Sequence, residues 1–381
     1  MKNSIKKNLF LLFFLLVPPA ECKELKIGLV TTNKEITINS SGKASLVNLF
    51  TGKEISKTKR YEYYSIVNKE GLLSTINKST NLKLGAFTGP IELIPEDKNN
   101  LVCCNKTCYR GALIITTNNN KNDITVINSV DLEDYLLSVV PSEIPSTWNI
   151  EVLKAQSIAA RSYALGYLGR RREKGYDLES TVEDQVYLGV LREKRITSEA
   201  VKETKGEILV DEENKPLIAL YHSSGGGYTD SIENLWDEKP SKHIQPRPDY
   251  DDNSPHFKWF RNYTKSEINK YLSSLNIGEI KNLTVLSRSI SGRVTYLKII
   301  GTLSDVTLRG EEFRKYLKLP SSKFNFIINN EEVRFAGRGL GHGLGLSQWG
   351  AKELAENGFS YKEILAHYYP GAMIIKTTNE E

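Results

Sequence analysis

The stretch that decides the fold spans residues 139–165 and reads VVPSEIPSTWNIEVLKAQSIAARSYAL. It places one carboxylate, Glu143, between Pro141 and Pro145. Proline fixes its own φ angle and disfavours the helical conformation of the residue before it, so we expect the residue before each proline to be extended. The sequence therefore predicts a stiff turn that presents Glu143.

Helical patterns flank this turn on both sides. Asp131 should cap a short helix, because apolar residues follow it at the spacing of one buried helical face, and Pro141 should end that helix. After the turn, Asn149 should cap a longer, alanine-rich helix that runs to Leu168. The predicted arrangement is a helix, a rigid turn that carries an acid, and a second helix.

Taken alone, the acid at position 143 is more often a structural turn residue than a catalytic group, because catalytic carboxylates are a minority. The stretch as a whole, however, resembles the signature of the SpoIID/LytB family of bacterial cell-wall proteins. In that signature, a Ser-Glu-Met-Pro turn precedes a helix that carries Leu-Lys-Ala-Gln and Ala-Arg-x-Tyr. The matching segments are Ser142–Pro145, Leu153–Gln156 and Ala160–Tyr163.

Residues 1–22 have the order of a secretory signal peptide. Lysines precede an apolar run, Leu9–Val17, that is too short to span a bilayer, and a Pro-Pro-Ala sequence follows it. We therefore expect an exported protein of the periplasm or cell envelope. Glu21 precedes Cys22 where a lipoprotein signal needs a small residue, so a lipid anchor is the weaker alternative, and an uncleaved signal anchor stays open.

The composition is that of an ordinary globular protein. The 381 residues are enough for two or three domains, and the hydrophobic content of 39% can build normal cores. Without residues 1–22, the chain has 48 basic and 45 acidic residues, a net charge of +3. Nucleic-acid-binding proteins are usually far more basic, so we expect no nucleic-acid partner.

A β-rich N-terminal domain is predicted for residues 23–130, because short runs of β-branched and apolar residues alternate there with polar turns. The clearest runs are Leu25–Val30, Glu35–Ile38, Ala112–Thr116 and Ile124–Ile127. Residues 131–236 are predicted to form the catalytic core, residues 237–372 the C-terminal part of the catalytic region, and residues 373–381 a tail. The expected fold class is α+β.

Three cysteines cluster at Cys103, Cys104 and Cys108. In an oxidising compartment, the spacing allows one tight disulfide between Cys108 and either of the other two cysteines, and one free thiol then remains. A zinc site would need a fourth ligand, and no histidine lies near in sequence. A small local disulfide is therefore favoured over a metal site.

Several further elements can be placed from local signals. The basic run Arg170–Arg172 with Lys174 is interpreted as a solvated helix end, and residues 237–256 as a long surface loop. Other patterns predict helices over residues 197–204 and 311–317, helices opened by capping boxes at Thr264 and Ser360, and a hairpin of Leu283–Ser287 with Val294–Ile300.

Two glycine-rich blocks carry the remaining candidate groups. An apolar strand leads into the first block, Tyr221–Thr229, and the second, Gly337–Ala351, has five glycines at alternate positions, so the backbone can approach a ligand closely in both. A serine hydrolase is not expected, because the Gly-x-Ser-x-Gly pattern is absent and adjacent strand residues face opposite sides. The candidate groups are His222, Ser223, Ser224, His342 and Gln348.

The resemblance covers nearly the whole chain after the signal peptide. It implies a lytic transglycosylase that cleaves the β-1,4 bond between MurNAc and GlcNAc in peptidoglycan strands freed of stem peptides and leaves a 1,6-anhydroMurNAc end. Glu143 would act first as the acid and then as the base, with Ile144 and Trp148 as the candidate apolar walls that raise its pKa. The remaining residues predicted to bind glycan are Arg161, Gln185, Tyr187, His222, Ser223, Ser224, His342 and Gln348.

The resemblance also bears on cofactors and partners. Some family members hold a structural zinc with cysteines near the first glycine-rich block, and those cysteines are missing here, so we expect no metal and no other cofactor. The expected partner is the peptidoglycan glycan strand. The alternative function is that of an amidase enhancer, a non-catalytic module that binds peptidoglycan and recruits or stimulates a cell-wall amidase.

Overall fold

The computed structural model describes residues 24–117 and 122–377. The predicted signal peptide and residues 378–381 of the predicted tail lie outside these ranges. All regular elements described up to residue 131 are strands. They are β1 (Glu24–Thr32), β2 (Ile36–Ser40), β3 (Ala44–Asn48), β4 (Glu54–Thr58), β5 (Tyr64–Lys69), β6 (Leu72–Asn77), β7 (Leu82–Phe87), β8 (Ile91–Pro95), β9 (Val102–Cys104), β10 (Thr107–Tyr109), β11 (Ala112–Thr117) and β12 (Ile124–Asp131).

Helices and strands alternate in the rest of the described chain. The elements up to residue 271 are α1 (Leu132–Glu143), α2 (Ile150–Gly166), β13 (Leu178–Glu179), α3 (Arg195–Glu203), β14 (Glu207–Val210), β15 (Tyr221–His222), α4 (Ile232–Leu235), β16 (Lys258–Thr264) and α5 (Lys265–Tyr271). They are followed by β17 (Ile280–Arg288), β18 (Val294–Gly301), β19 (Asp305–Arg309), α6 (Gly310–Leu317), β20 (Phe324–Ile328), β21 (Glu332–Arg338), β22 (Leu346–Ser347), α7 (Gln348–Glu356), α8 (Tyr361–Tyr368) and β23 (Met373–Lys376).

The strands form two large sheets and several small ones. One sheet has the order β13-β1-β12-β11-β8-β3-β4, and the other has the order β10-β9-β2-β5-β6-β7. Two three-stranded sheets, β16-β21-β20 and β17-β18-β19, lie further along the chain, and β15 pairs in parallel with β22. The predicted α+β class is confirmed. No helix within the described ranges is long and apolar enough to cross a membrane.

Buried apolar side chains form two main clusters. The larger runs from the first strands through the helices as far as Tyr369, with Leu25, Leu136 and Ile158 among its other members. The smaller lies within residues 259–335. The larger cluster thus joins the β-rich region to α1 and α2. The domain boundaries proposed from the sequence stay a prediction.

The first helix departs from the sequence prediction at Pro141. The proline lies inside α1, and Val140 before it is helical, whereas Ile144 is extended as predicted, with φ −135° and ψ 152°. A proline inside a helix removes its own N–H from the ladder, and its ring crowds the carbonyl group four residues earlier, so the last turn needs other support. The last turn is held by the Ile144 N–H, which donates to the Val140 carbonyl at 3.1 Å, and by a bond from the Ser142 hydroxyl. Glu143 is therefore the last residue of a helix rather than part of a turn.

The helix starts agree well with the sequence. The side chains of Asp131 and Asn149 accept hydrogen bonds from the first-turn N–H groups of α1 and α2. The capping boxes at Thr264 and Ser360 are confirmed. The α2 helix ends at Gly166, slightly before the predicted Leu168.

The cysteine cluster contains one disulfide, between Cys103 and Cys108. These residues face each other across the hairpin of β9 and β10, so the bridge is the predicted local one. Cys104 is the remaining thiol, and it is buried.

Candidate active site

A cavity of about 720 Å³ lies where the end of α1, the α2 helix and the two glycine-rich blocks meet. It brings together groups that are distant in sequence. Of the nine residues predicted to act in the site, the five that line the cavity are Glu143, His222, Ser223, His342 and Gln348. Ile144 and Trp148, the predicted apolar walls, do not line it; Val186 and Leu220 do.

Glu143 has the environment of a carboxyl group that stays protonated to neutral pH. Burial raises the pKa of Glu143 to about 7, and hydrogen bonds from the Val186 N–H and the Tyr221 side chain act in the opposite direction. The Val186 N–H donates to Oε1 at 2.8 Å. Because both protonation states are well populated near pH 7, this carboxyl group can donate a proton and then take one back.

Tyr221 holds Glu143 through a buried chain of hydrogen bonds that the sequence did not reveal. The Gln185 amide donates to the Tyr221 hydroxyl at 3.0 Å, so the phenol proton is left to point at Glu143. The other end of Gln185 accepts from the Tyr135 hydroxyl at 3.3 Å. Burial raises the pKa of Tyr221 far above its usual range, so the phenol remains a donor. Tyr221 directly precedes His222, which was a predicted site residue, and this position is the sequence signal that could have identified Tyr221.

The two histidines both bond to the backbone of Leu344. Its carbonyl lies 3.1 Å from Nδ1 of His222, and its N–H donates to Nδ1 of His342 at 3.0 Å. Burial lowers the pKa of His222 well below its usual range and that of His342 to about 3, with the nearby Arg293 acting in the same direction on both. Both rings are therefore neutral at physiological pH.

Four predicted ligand residues are buried and already bonded within the protein, which favours a structural role for them; that they contact glycan stays a prediction. Gln185 belongs to the chain that holds Tyr221. The Tyr187 hydroxyl donates to Asn128 at 2.8 Å, and Ser224 donates to Asp251. Arg161 is 1% exposed and makes a two-pronged contact with Glu133.

The first glycine-rich block is held by acids from the segment predicted to be a surface loop. That segment lacks regular secondary structure for most of its length, but Asp249 and Asp251 are buried. Asp251 accepts from the N–H groups of Gly226 and Gly227 at 2.7 and 2.8 Å, and Asp249 accepts from that of Gly225 at 2.9 Å. Backbone N–H groups that lack other partners stabilise carboxylates in the interior. The polar local sequence of the segment does not indicate this contact with a distant block.

The second block needs glycine at Gly341, which has φ +106°. A Cβ atom added there would lie 2.8 Å from the Cβ of His222. The glycine therefore lets the chain that carries His342 pass directly against the strand that carries His222.

The basic run after α2 is also not a simple solvated end. Arg171 Nε contacts Asp184 at 2.6 Å and Arg170 contacts the same carboxylate at 3.0 Å. Asp184 lies two residues before Val186, so these arginines fix the loop that donates to Glu143.

Comparison with known proteins agrees with this geometry. The family model described as "Stage II sporulation protein" (SpoIID) matches residues 120–210, which include the α1–α2 region, and a domain of unknown function, DUF8618, matches residues 200–345. Stage II sporulation protein D of Bacillus amyloliquefaciens is 31% identical over 264 residues, which cover 65% of this chain and 75% of the relative. The chain belongs to the SpoIID/LytB family.

Other relatives extend the comparison. An uncharacterized protein of Brachyspira hyodysenteriae is 29% identical over 358 residues and matches 92% of each chain. A protein of Bacillus subtilis named "Amidase enhancer" is 28% identical over 293 residues, and the match spans 63% of this chain but only 40% of that longer protein. The relatives named Stage II sporulation protein D and Amidase enhancer indicate a role related to the cell wall.

The zinc site of some SpoIID/LytB members does not fit the residues present here. The first glycine-rich block offers His222 with serines and glycines but no cysteine. Across the described ranges, no group of three or more His, Cys, Asp or Glu side chains lies close enough together to hold a metal ion.

The bond from Tyr221 gives a direct test of what sets the protonation of Glu143 in this SpoIID/LytB protein. A hydrogen bond to an ionised group favours that form, so Tyr221→Phe is expected to raise the pKa of Glu143 by about one unit. The measurement is a titration followed by NMR of the carboxyl-labelled protein. Tyr167→Phe is the matched control, because Tyr167 also lines the cavity without being among the groups that shift Glu143. An unchanged or lower pKa in Tyr221→Phe would contradict this account.

Proposed function

We propose that the protein is a peptidoglycan lytic transglycosylase that cleaves the β-1,4 bond between MurNAc and GlcNAc in glycan strands free of stem peptides. The observation that carries this proposal is the buried carboxyl group of Glu143, whose pKa is raised to about 7 and which two fixed donors hold at the wall of the cavity.

The reaction needs one group that gives a proton and then takes one back. Protonated Glu143 donates to the glycosidic oxygen as the bond from that oxygen to C1 of MurNAc breaks. The resulting carboxylate accepts the proton of the MurNAc 6-hydroxyl while O6 bonds to C1, which closes the anhydro ring and restores the acid. The Val186 N–H and the Tyr221 hydroxyl stabilise the carboxylate between the two steps.

The other carboxylates of the cavity support a mechanism with one acid. Hydrolysis of glycosides usually uses a pair of carboxyl groups. Asp184 and Glu311 are held in ion pairs with arginines, and Glu183 and Glu238 occupy exposed positions. Glu143 is therefore the carboxyl group of the cavity whose protonation state best suits proton transfer.

The dependence of cleavage on pH follows from the pKa of Glu143. Protonated Glu143 is the form that starts the reaction, so kcat/KM is expected to fall as pH rises, with an apparent pKa of about 7. The measurement is the initial rate of anhydro-end formation between pH 5 and 9. A rate that stays constant to pH 9 would exclude Glu143 as the initial acid.

Product analysis tests the function itself. Purified protein is incubated with stem-free glycan, and mass spectrometry identifies the new ends. Ends of 1,6-anhydroMurNAc support the proposal, and ordinary reducing ends would indicate a hydrolase that uses a second carboxylate.

The second candidate function is that of an amidase enhancer, because a relative carries that name. In this case, the cavity would hold glycan without cutting it, and a cell-wall amidase would be a partner. The discriminating result is stimulation of a purified amidase by wild-type protein that forms no anhydro ends. Either function requires export to the periplasm or cell envelope, as the N-terminal sequence predicts.

A further inference from the structure

We propose that His222, and not His342, provides the imidazole acceptor for the glycan, with Nε2 of His222 accepting a hydrogen bond from a sugar hydroxyl or acetamido N–H. This inference rests on the proposed function, because it takes glycan as the ligand of the cavity. It assigns different roles to two histidines that the sequence treats alike.

The hydrogen atom on the His222 ring can be placed from its neighbours. Nδ1 lies 3.1 Å from the carbonyl oxygen of Leu344, and a carbonyl oxygen only accepts, so Nδ1 carries the hydrogen atom. A neutral ring has only one N–H, so Nε2 presents a lone pair. Burial, His342 and Arg293 lower the pKa of His222 and keep the ring in this neutral form.

His342 has no such free position. Its Nδ1 accepts from the Leu344 N–H at 3.0 Å, so the single hydrogen atom of the neutral ring is on Nε2. Trp236 packs against the ring at 5.5 Å between centroids. His342 thus has no free lone pair to offer to a ligand.

The free lone pair of His222 is buried at the wall of the cavity. His222 is 4% exposed, and within the described part of the chain its Nε2 has no hydrogen-bonding partner. Leaving a buried polar atom without a partner costs free energy, and a donor on a bound ligand would recover it. The position of His222 in the lining of the cavity makes the cavity's ligand the source of that donor.

The chemistry of the lone pair selects the group that it binds. Sugar hydroxyls and acetamido N–H groups are donors, whereas the ionised lactyl carboxylate of MurNAc only accepts. His222 therefore cannot hold the lactyl carboxylate, and it orients the sugar through its neutral groups.

NMR of the imidazole nitrogens separates the two histidines. The Glu143→Gln protein is labelled with ¹⁵N-histidine, and stem-free glycan oligosaccharide is added; the chain has five histidines, so assignment by single replacement is practical. The Nε2 signal of His222 should move towards lower frequency, as expected for a lone pair that accepts a hydrogen bond, while both His342 signals stay in place. Movement of His342 alone, binding without any movement of His222, or no binding would each overturn the inference.

Matched variants give a second measurement. His222→Phe removes the acceptor and His222→Gln can restore one near the position of Nε2, while both lose the bond to Leu344. The Kd for the oligosaccharide should rise about tenfold more in His222→Phe than in His222→Gln. Equal Kd values would contradict the inference.

The two proposals fail in different ways. Anhydro products from wild-type protein with an unmoved His222 would reject the role of this histidine alone. A shifted His222 without any anhydro product would reject the lytic reaction and retain the glycan site.

Discussion

Glu143→Gln is expected to lower the rate of anhydro-end formation by about a thousandfold or more, because one residue supplies both proton transfers. Glutamine has nearly the same shape, and its carbonyl oxygen can still accept from the Val186 N–H and the Tyr221 hydroxyl. The fold and the affinity for glycan should therefore be retained. The measurement is the number of anhydro ends formed per protein molecule, with the Kd for stem-free glycan determined on the same sample.

A second carboxylate of the cavity provides the control. Glu238→Gln changes an exposed residue of the same lining and should leave the rate close to that of the wild type. Anhydro products that form at the wild-type rate in Glu143→Gln would remove this residue from the mechanism. A loss of equal size in Glu238→Gln would point to a mechanism with two carboxylates.

Arg161→Met is expected to reduce the free energy of unfolding by about 3–5 kcal/mol, because it leaves a largely buried carboxylate without its partner. Two nitrogens of Arg161 each contact Glu133 at 2.8 Å, and the same guanidinium donates to the carbonyls of Glu207 and Val201. These bonds tie α1 to α2 and to the start of β14. Urea denaturation followed by circular dichroism measures the change.

The matched control is Arg195→Met, which breaks an ion pair that is 86% exposed on the arginine side. Exposed pairs contribute little, so its effect should stay within about 0.5 kcal/mol. Adding Glu133→Gln to Arg161→Met should recover part of the lost stability, since the two residues form one unit. The Kd for glycan of the folded Arg161→Met protein should match that of the wild type; a large increase would support the prediction that Arg161 is a ligand residue.

Local patterns predicted the elements around Glu143 because the forces involved are local. Asp131 and Asn149 cap their helices with side chains two or three residues from the groups that they bond. Pro141 shows the limit of this reasoning. Its effect on the helix depends on whether neighbouring bonds hold the final turn, and the bonds from Ser142 and Ile144 do so.

Contacts between distant segments could not be predicted in this way. Tyr221 meets Glu143 across nearly eighty positions, and the pairing of Gln185 with Tyr221 depends on the packing of α1 and α2. Strands β3 to β10 were also missed. Several of them are short and polar, and β7 is mostly exposed, so their pairing in the sheets rather than their own sequence defines them.

The raised pKa of Glu143 also affects folding. In the unfolded chain this carboxyl group ionises near its ordinary value of 4.5, while the native protein retains the proton to about pH 7. Between these values the native state binds more protons than the unfolded state, so stability falls as pH rises through that window. Below pH 4.5, Glu143 does not reduce the free energy of unfolding in this way. Above about pH 7, the reduction reaches about 3 kcal/mol. The protein thus gives up thermodynamic stability at neutral pH in order to keep an acid in its cavity.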